Sequence, residues 1–255
     1  MIINYLRPKS IKEAYQLLQN SGGKGFIVGG GTYISTHQTS NGIAIDLQEV
    51  GNLNTLEKSN DKFQIGSRVT LQELADCDDL DPVLKEVLKN EVGRNIRQAA
   101  TIAGHLVKSD GRSPLTTCLL GLDANLGIYP INSAVSMGDW LPLRNSDDFQ
   151  GIITEITFGA LPNLRFDYVA RTPKDRPVVC AAVVIWPGGR TRVALGGFGP
   201  SPIMIFDGPD SSGAGLAALD AYSNAEDCWA SADYRMDAAQ KLVNRLLVSG
   251  KEIPG

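Results

Sequence analysis

The chain has 255 residues, of which 43% are hydrophobic, enough to bury one large core or two smaller ones. A formal net charge of −4 and a pI near 5.3 give no basic footprint for nucleic acid or an anionic membrane surface, and both partners are excluded. Residues Met1 to Pro8 show no secretory pattern, no run approaches ~20 apolar residues, and Cys77, Cys118, Cys180 and Cys228 contain no Cys-x-x-Cys pair, so the expectation is a cytoplasmic chain with buried free thiols and no metal site.

Ser10 to Leu18 carries a helical apolar stripe with Ser10 and Glu13 as a capping box, and the helix is predicted to stop at Ser21-Gly22-Gly23. Phe26-Ile27-Val28 then reads as a strand running into Gly29-Gly30-Gly31, a bare backbone turn. Glycine reaches φ > 0 and lets other groups approach closely, so this turn suits either a loop whose N–H groups face an anion or an ordinary tight turn. Ile43 to Leu47 is predicted as a strand parallel to the first, completing a β-α-β unit that lacks the spaced glycines of a dinucleotide fingerprint.

Leu53 to Ser67 is predicted as a hairpin turning at Asn60-Asp61, and Thr70 with Glu73 caps the next helix. Asp78 to Asp81 matches no calcium-loop spacing, and Asp81 reads as the cap of a helix over Pro82 to Val92. Ile96 to His105 is taken as a second loop, followed by a buried helix from Ser113-Pro114 to Leu120 and a strand over Asp123 to Ile131. Met137 to Leu143 and Ile152 to Phe158 are predicted as the last strands of a first domain, with Gly159 to Asn163 as linker. Beyond it, Pro177 to Trp186 and Thr191 to Leu195 form a hairpin, and Asp233 to Leu247 a terminal helix whose Arg235, Lys241 and Arg245 form a solvated face. His37 and His105 are the only histidines, and no catalytic triad or metal cluster can be assembled from them.

The glycine turn and the segment Thr101-Ile102-Ala103-Gly104-His105 together resemble the FAD-binding subunit of the molybdenum hydroxylases, the family of xanthine dehydrogenase and aerobic carbon monoxide dehydrogenase. Tyr5 to Pro8, Ile45-Asp46-Leu47, Ile65-Gly66-Ser67, Gly196-Gly197-Phe198-Gly199-Pro200 and Asp233-Tyr234-Arg235 follow in the family's order. The resemblance implies an α+β fold: a two-subdomain FAD-binding domain of the vanillyl-alcohol-oxidase/PCMH type over residues 1–160 (subdomains about 1–52 and 53–160), then a small α+β domain over 161–255. It implies FAD contacts at Val28, Gly29, Gly30, Gly31, Thr32, Tyr33, Thr101, Ile102, Ala103, Gly104, His105, Ser109, Asp110, Leu120 and Ile153, with Ile65-Gly66 and Leu119-Leu120 as candidate walls.

It further implies no catalytic residue on this chain and no metal. The expected partners are a [2Fe–2S] small subunit and a molybdopterin-binding large subunit, with electrons leaving through the flavin to an external acceptor. The segment Gly196 to Pro200 is the expected docking surface. The chain departs from the family pattern at three places: Ala103 replaces a glycine, Pro114 falls where an aspartate is usual, and Leu164 to Arg171 lacks a lysine. Lys108, Arg112 and His105 are candidate substitutes for the missing charge. The departures favour an alternative, a scaffold subunit that keeps the fold and binds flavin weakly or not at all. A lone flavin oxidase is disfavoured by the lack of a residue for covalent attachment or a substrate base.

Overall fold

The computed structural model describes residues 2–34, 42–131, 133–144, 151–173 and 175–248, and His37 lies outside the described residues. In chain order the elements are β1 (Ile2–Leu6), α1 (Ile11–Gln19), β2 (Gly25–Val28), β3 (Gly42–Asp46), β4 (Leu56–Lys58), β5 (Lys62–Gly66), α2 (Leu71–Asp76), α3 (Pro82–Glu91), α4 (Arg94–Arg97), α5 (Ile102–Lys108), α6 (Pro114–Gly121), β6 (Asn125–Tyr129) and β7 (Val135–Ser136). They continue with α7 (Met137–Leu143), β8 (Ile152–Gly159), β9 (Asn163–Val169), β10 (Val179–Ile185), β11 (Thr191–Gly196), β12 (Ile203–Gly208), α8 (Ala214–Asp220) and α9 (Ala232–Val248). No described helix is long and apolar enough to cross a membrane. The contacts divide the chain into two compact units, the first made of Met1–Leu80, Val92–Lys108 and Asn125–Phe158, the second of Asp81–Glu91, Ser109–Ala124 and Gly159–Gly255.

The first unit holds a parallel three-stranded sheet in the order β1-β3-β2 and a five-stranded sheet in the order β4-β5-β8-β6-β7. Helix α1 packs Ala14 against Ile45, Leu47, Val50 and Leu53. Its cap forms as the sequence predicts on one side only: Ser10 accepts from the Glu13 N–H, while the Glu13 carboxylate reaches the Lys9 N–H at 2.8 Å. The box at Thr70 and Glu73 is complete.

One element differs in kind from the prediction. Met137 to Leu143 is helix α7, not a strand, because the Ser136 hydroxyl accepts from the Asp139 N–H at 3.1 Å and starts a helix that buries Met137, Trp140 and Leu141. Those buried positions fall at helical spacing, which outweighs the apolar run that suggested a strand.

The second unit is an antiparallel sheet in the order β12-β11-β10-β9 with helices on both faces. Along β10, Val179, Ala181 and Val183 join a core with Ala239, Leu242 and Val243 of α9. On the other side, Gly121 of α6 backs onto Ala182 and Val184. Burial on both faces is why β10 reads as an unbroken apolar run. Asp81 accepts from the Val83 N–H at 2.7 Å at the start of α3, as a cap does.

Two expectations about single side chains are overturned here. Arg235 is fully buried, not solvated: its guanidinium donates to Asp227 at 2.7 Å, to the Val178 and Ala230 carbonyls, and packs 4.9 Å from the centre of the Phe198 ring. Cys118 and Cys180 are buried, and burial pushes the Cys180 thiol up to about 12, but Cys77 is half-buried and Cys228 is exposed.

Candidate functional site

Strand β2 ends at Val28, and the three glycines that follow are required for different reasons. A Cβ on Gly29 would stand 2.5 Å from the Thr101 hydroxyl, and one on Gly30 would overlap the Ala99 carbonyl. These two residues let the turn press directly on the 99–101 segment. Gly31 has φ +70° and nothing closer to its Cβ position than Val28 Cγ1 at 4.0 Å, so it supplies the change of direction and faces open space. Among the described residues, no acceptor meets the N–H groups of Gly29, Gly30 or Gly31. Consecutive unpaired N–H groups at a glycine turn form an anion-binding concavity.

The second expected loop is instead the start of a helix. Residues Ile102 to His105 form the first turn of α5, and each N–H has an acceptor within the unit: Ile102 donates to the Val69 carbonyl at 2.9 Å, Ala103 to the Ser67 carbonyl at 3.3 Å, Gly104 to the Thr101 hydroxyl at 3.3 Å, and His105 to the Thr101 carbonyl at 2.9 Å. Thr101 is buried, bridges Thr70, and forms the floor under Gly29. Ala103 therefore sits in helical geometry, where alanine is the most favourable residue and no positive φ is needed. Its methyl removes less from the site than the departure from the family pattern suggested.

Sequence reasoning did not single out the Ser67 side chain, although it stands in the quoted Ile65-Gly66-Ser67 stretch. Its side chain is 2% exposed, and its hydroxyl has no hydrogen-bond partner among the described residues. Its N–H donates to the Thr154 carbonyl, and its carbonyl takes the Ala103 N–H, which places it beside the first turn of α5. A buried unpaired hydroxyl costs about 1–3 kcal/mol, and nothing in the sequence pattern signals it. Open glycine donors and an orphaned buried hydroxyl in one unit fit a polar, anionic cofactor such as FAD.

The other predicted residues divide between the units. In the first, Val28 closes β2, Thr32 and Tyr33 continue the turn, and Ile153 is a buried residue of β8. The ring of Tyr33 lies 4.6 Å beneath the Lys108 ammonium, at the far end of α5. Leu106 of the same helix gives its carbonyl to Arg144 at 2.7 Å. Ile65 and Gly66 belong to the core, with the Gly66 N–H bonded to the Thr55 carbonyl at 2.7 Å.

In the second unit, Ser109 pairs with the Thr116 hydroxyl at 2.9 Å, and Leu120 is a core residue of α6. Asp110 accepts from the Arg112 N–H at 2.8 Å and from the Arg176 guanidinium at 2.9 Å. Burial alone would raise its pKa, but Arg176 and the Arg112 N–H outweigh burial and hold the carboxyl below the usual range. Pro114 opens α6 behind the Ser113 cap, a position proline favours, which accounts locally for its presence. The Arg112 side chain pairs with Asp227 and lies 4.4 Å over Trp229, so its charge is already compensated. The segment Gly196 to Pro200 also works inside its own unit: Gly197 donates to the Gly111 carbonyl at 2.6 Å, and Gly111 to the Gly199 carbonyl at 2.9 Å. Its backbone clamps the 109–112 stretch.

Comparison with known proteins follows the same lines. Residues 1–158 match the family described as the FAD binding domain in molybdopterin dehydrogenase. The chain is 23% identical to the nicotine 6-hydroxylase medium subunit of Paenarthrobacter nicotinovorans over 96% of both chains. Among solved structures it resembles a chain of carbon monoxide dehydrogenase from Hydrogenophaga pseudoflava (TM-score 0.83, 21% identity, 97% of this chain and 96% of that one). It also resembles a chain of quinoline 2-oxidoreductase from Pseudomonas putida 86 (TM-score 0.81, 21% identity, 98% and 96%), and both likenesses speak for the mixed α+β fold. With more than half of its length matched by the family's defining domain, the chain belongs to the FAD-binding subunits of the molybdopterin dehydrogenases and is an oxidoreductase subunit.

Proposed function

We propose that this chain binds FAD and passes electrons from the [2Fe–2S] clusters of a small partner, themselves reduced by a molybdopterin-binding large subunit, to an external acceptor. The observation that carries the reading is the run of three glycine N–H groups at the end of β2 that meet no acceptor among the described residues. In it, Gly29 to Gly31 bind the diphosphate through their N–H groups, Thr101 supports the turn from below, and the Ser67 hydroxyl is a further polar contact. FAD supplies the redox chemistry when bound, exchanging electrons between one-electron clusters and an acceptor. The protein's task is to hold and orient it. Residues 1–160 serve as the FAD-binding domain and 161–255 as the smaller domain. Ser109, Asp110 and Leu120, each already engaged by protein groups of the second unit, hold that unit together in this reading.

A second reading has its own observation: the N–H groups of Ile102 to His105 are all taken by protein acceptors, which leaves the cradle one-sided and suits a scaffold subunit with weak flavin affinity. One preparation separates the two. Purification of the chain from its native source is expected to bring down an iron–sulfur protein and a large molybdopterin protein, and denaturation of that complex is expected to release about one flavin per chain, as a single nest implies. A complete complex that releases no flavin establishes the scaffold reading instead.

A further inference from the structure

The proposed diphosphate site needs positive charge as well as N–H donors, because FAD brings two negative charges to a chain of net charge −4. Of the cations that could supply it, Arg112 is held by Asp227 and stacked on Trp229. Arg144 is buried and bonded to the Leu106 carbonyl. Lys108 differs from both. Its ammonium contacts no carboxylate among the described residues and rests 4.6 Å over the ring of Tyr33, the second residue after Gly31.

The contacts that hold this arrangement lie at the two ends of α5. Gly29 presses on Thr101 at the start of the helix, and the Tyr33 ring meets the side chain of Lys108, its last residue, so the stretch from Gly29 to Tyr33 touches α5 at both ends. At roughly 3.3–3.6 Å per residue, the backbone of Tyr33 lies within about 7 Å of Gly31. A lysine seated over the ring of Tyr33, two residues beyond Gly31, places its charge on the same stretch of chain as the open N–H groups, and its flexible four-carbon stem lets the ammonium move toward an anion held there. The aromatic face limits the rotamers of a side chain that would otherwise lose them on binding an anion.

We propose that Lys108 is the side-chain cation of the FAD diphosphate site, kept in reach of the glycine turn by Tyr33. The assignment rests on the FAD-binding reading above and adds to it a residue whose charge compensates for donors that α5 keeps for itself.

The test uses the full-length chain freed of flavin, titrated with FAD at low and high salt and followed by quenching of flavin fluorescence. Lys108→Met keeps the apolar stem over Tyr33 and removes the charge, and Lys108→Arg keeps the charge. Lys108→Met is expected to weaken FAD binding about tenfold at low salt, the scale of one charge-assisted contact, and to reduce the loss of affinity between low and high salt. Lys108→Arg is expected to stay within about threefold of wild type. The melting temperature of the apo chain, measured in parallel, should be the same for all three. Wild-type affinity in Lys108→Met, or an equal loss in both variants, overturns the assignment of charge to Lys108 while leaving the FAD reading intact. A wild-type chain that takes up no FAD removes both.

Discussion

Gly29, Gly30 and Gly31 look equivalent in sequence but have different requirements, and substitution separates them. A methyl at Gly30 would overlap the Ala99 carbonyl, a backbone atom that cannot swing away, so Gly30→Ala is expected to destabilise the apo chain by about 3 kcal/mol or more whether or not flavin is present. At Gly31 the Cβ would meet open space, and only the φ of +70° resists it, so Gly31→Ala should cost about 1 kcal/mol. Chemical denaturation of the two variants without flavin checks this. Equal losses would mean that the turn does not pack on the 99–101 segment as described. From sequence alone the glycines could be identified but not ranked, because the ranking depends on which backbone lies behind each one.

The elements that were legible in sequence are those whose signals are local. The cap at Thr70 and Glu73, the hairpin at Asn60-Asp61 and the cap at Asp81 appear where residue type and spacing placed them. Helix α7 was hidden because Met137-Gly138-Asp139-Trp140-Leu141-Pro142-Leu143 contains a glycine and a proline, and its start depends on the single hydroxyl of Ser136. Strands β9 and β12 and helix α8 went unassigned, since their apolar residues are shared between the sheet and its covering helices and show no clean period. The start of α5 reads as a loop in sequence because Ala103-Gly104 interrupts the pattern, and the helical signal is only the pair Ile102 and Leu106, both buried one helical turn apart.

Arg235 of α9 shows the same limit. A lone arginine on a helix reads as solvated, and its partner Asp227 precedes the helix in a turn. Asp227 also accepts from the Trp229 and Ala230 N–H groups and from Arg112. Burial pushes the Asp227 pKa up, but the Arg235 guanidinium, the Trp229 N–H and Arg112 outweigh it and hold the carboxyl well below the usual range. A carboxyl whose folded pKa is depressed stabilises the protein fully above its unfolded value near ~3.9 and loses that stabilisation as pH falls toward the folded value. Asp227→Asn is accordingly expected to cost about 2–3 kcal/mol at neutral pH, by leaving the buried Arg235 short of a counter-charge, and to flatten the fall in stability below about pH 4. Urea denaturation at neutral and acidic pH reads both effects. An unchanged acid limb would show that the turn is not held by the ionised carboxylate.

For the whole molecule, the chain belongs to the FAD-binding subunits of the molybdopterin dehydrogenases, and under the proposed reading its task is to seat a cofactor that carries the chemistry. The proposed polar seat lies in the first unit, where the glycine turn, Ser67 and Lys108 are found, and the loop between α5 and α6 that the sequence offered for further contacts is tied into the second unit by Asp110, Gly111 and Arg112. FAD bound to the folded chain alone must also raise its melting temperature, by an amount that grows with free FAD concentration. Gly31→Asp brings these consequences together, since it places a carboxylate where the diphosphate would sit without a clash inside the protein. The decisive measurement is the flavin content of Gly31→Asp beside wild type, together with the melting temperatures of both apo chains. The account predicts stoichiometric flavin in wild type, none in the variant, and apo melting temperatures that differ only by the equivalent of about 1 kcal/mol. Stoichiometric flavin in Gly31→Asp would contradict it.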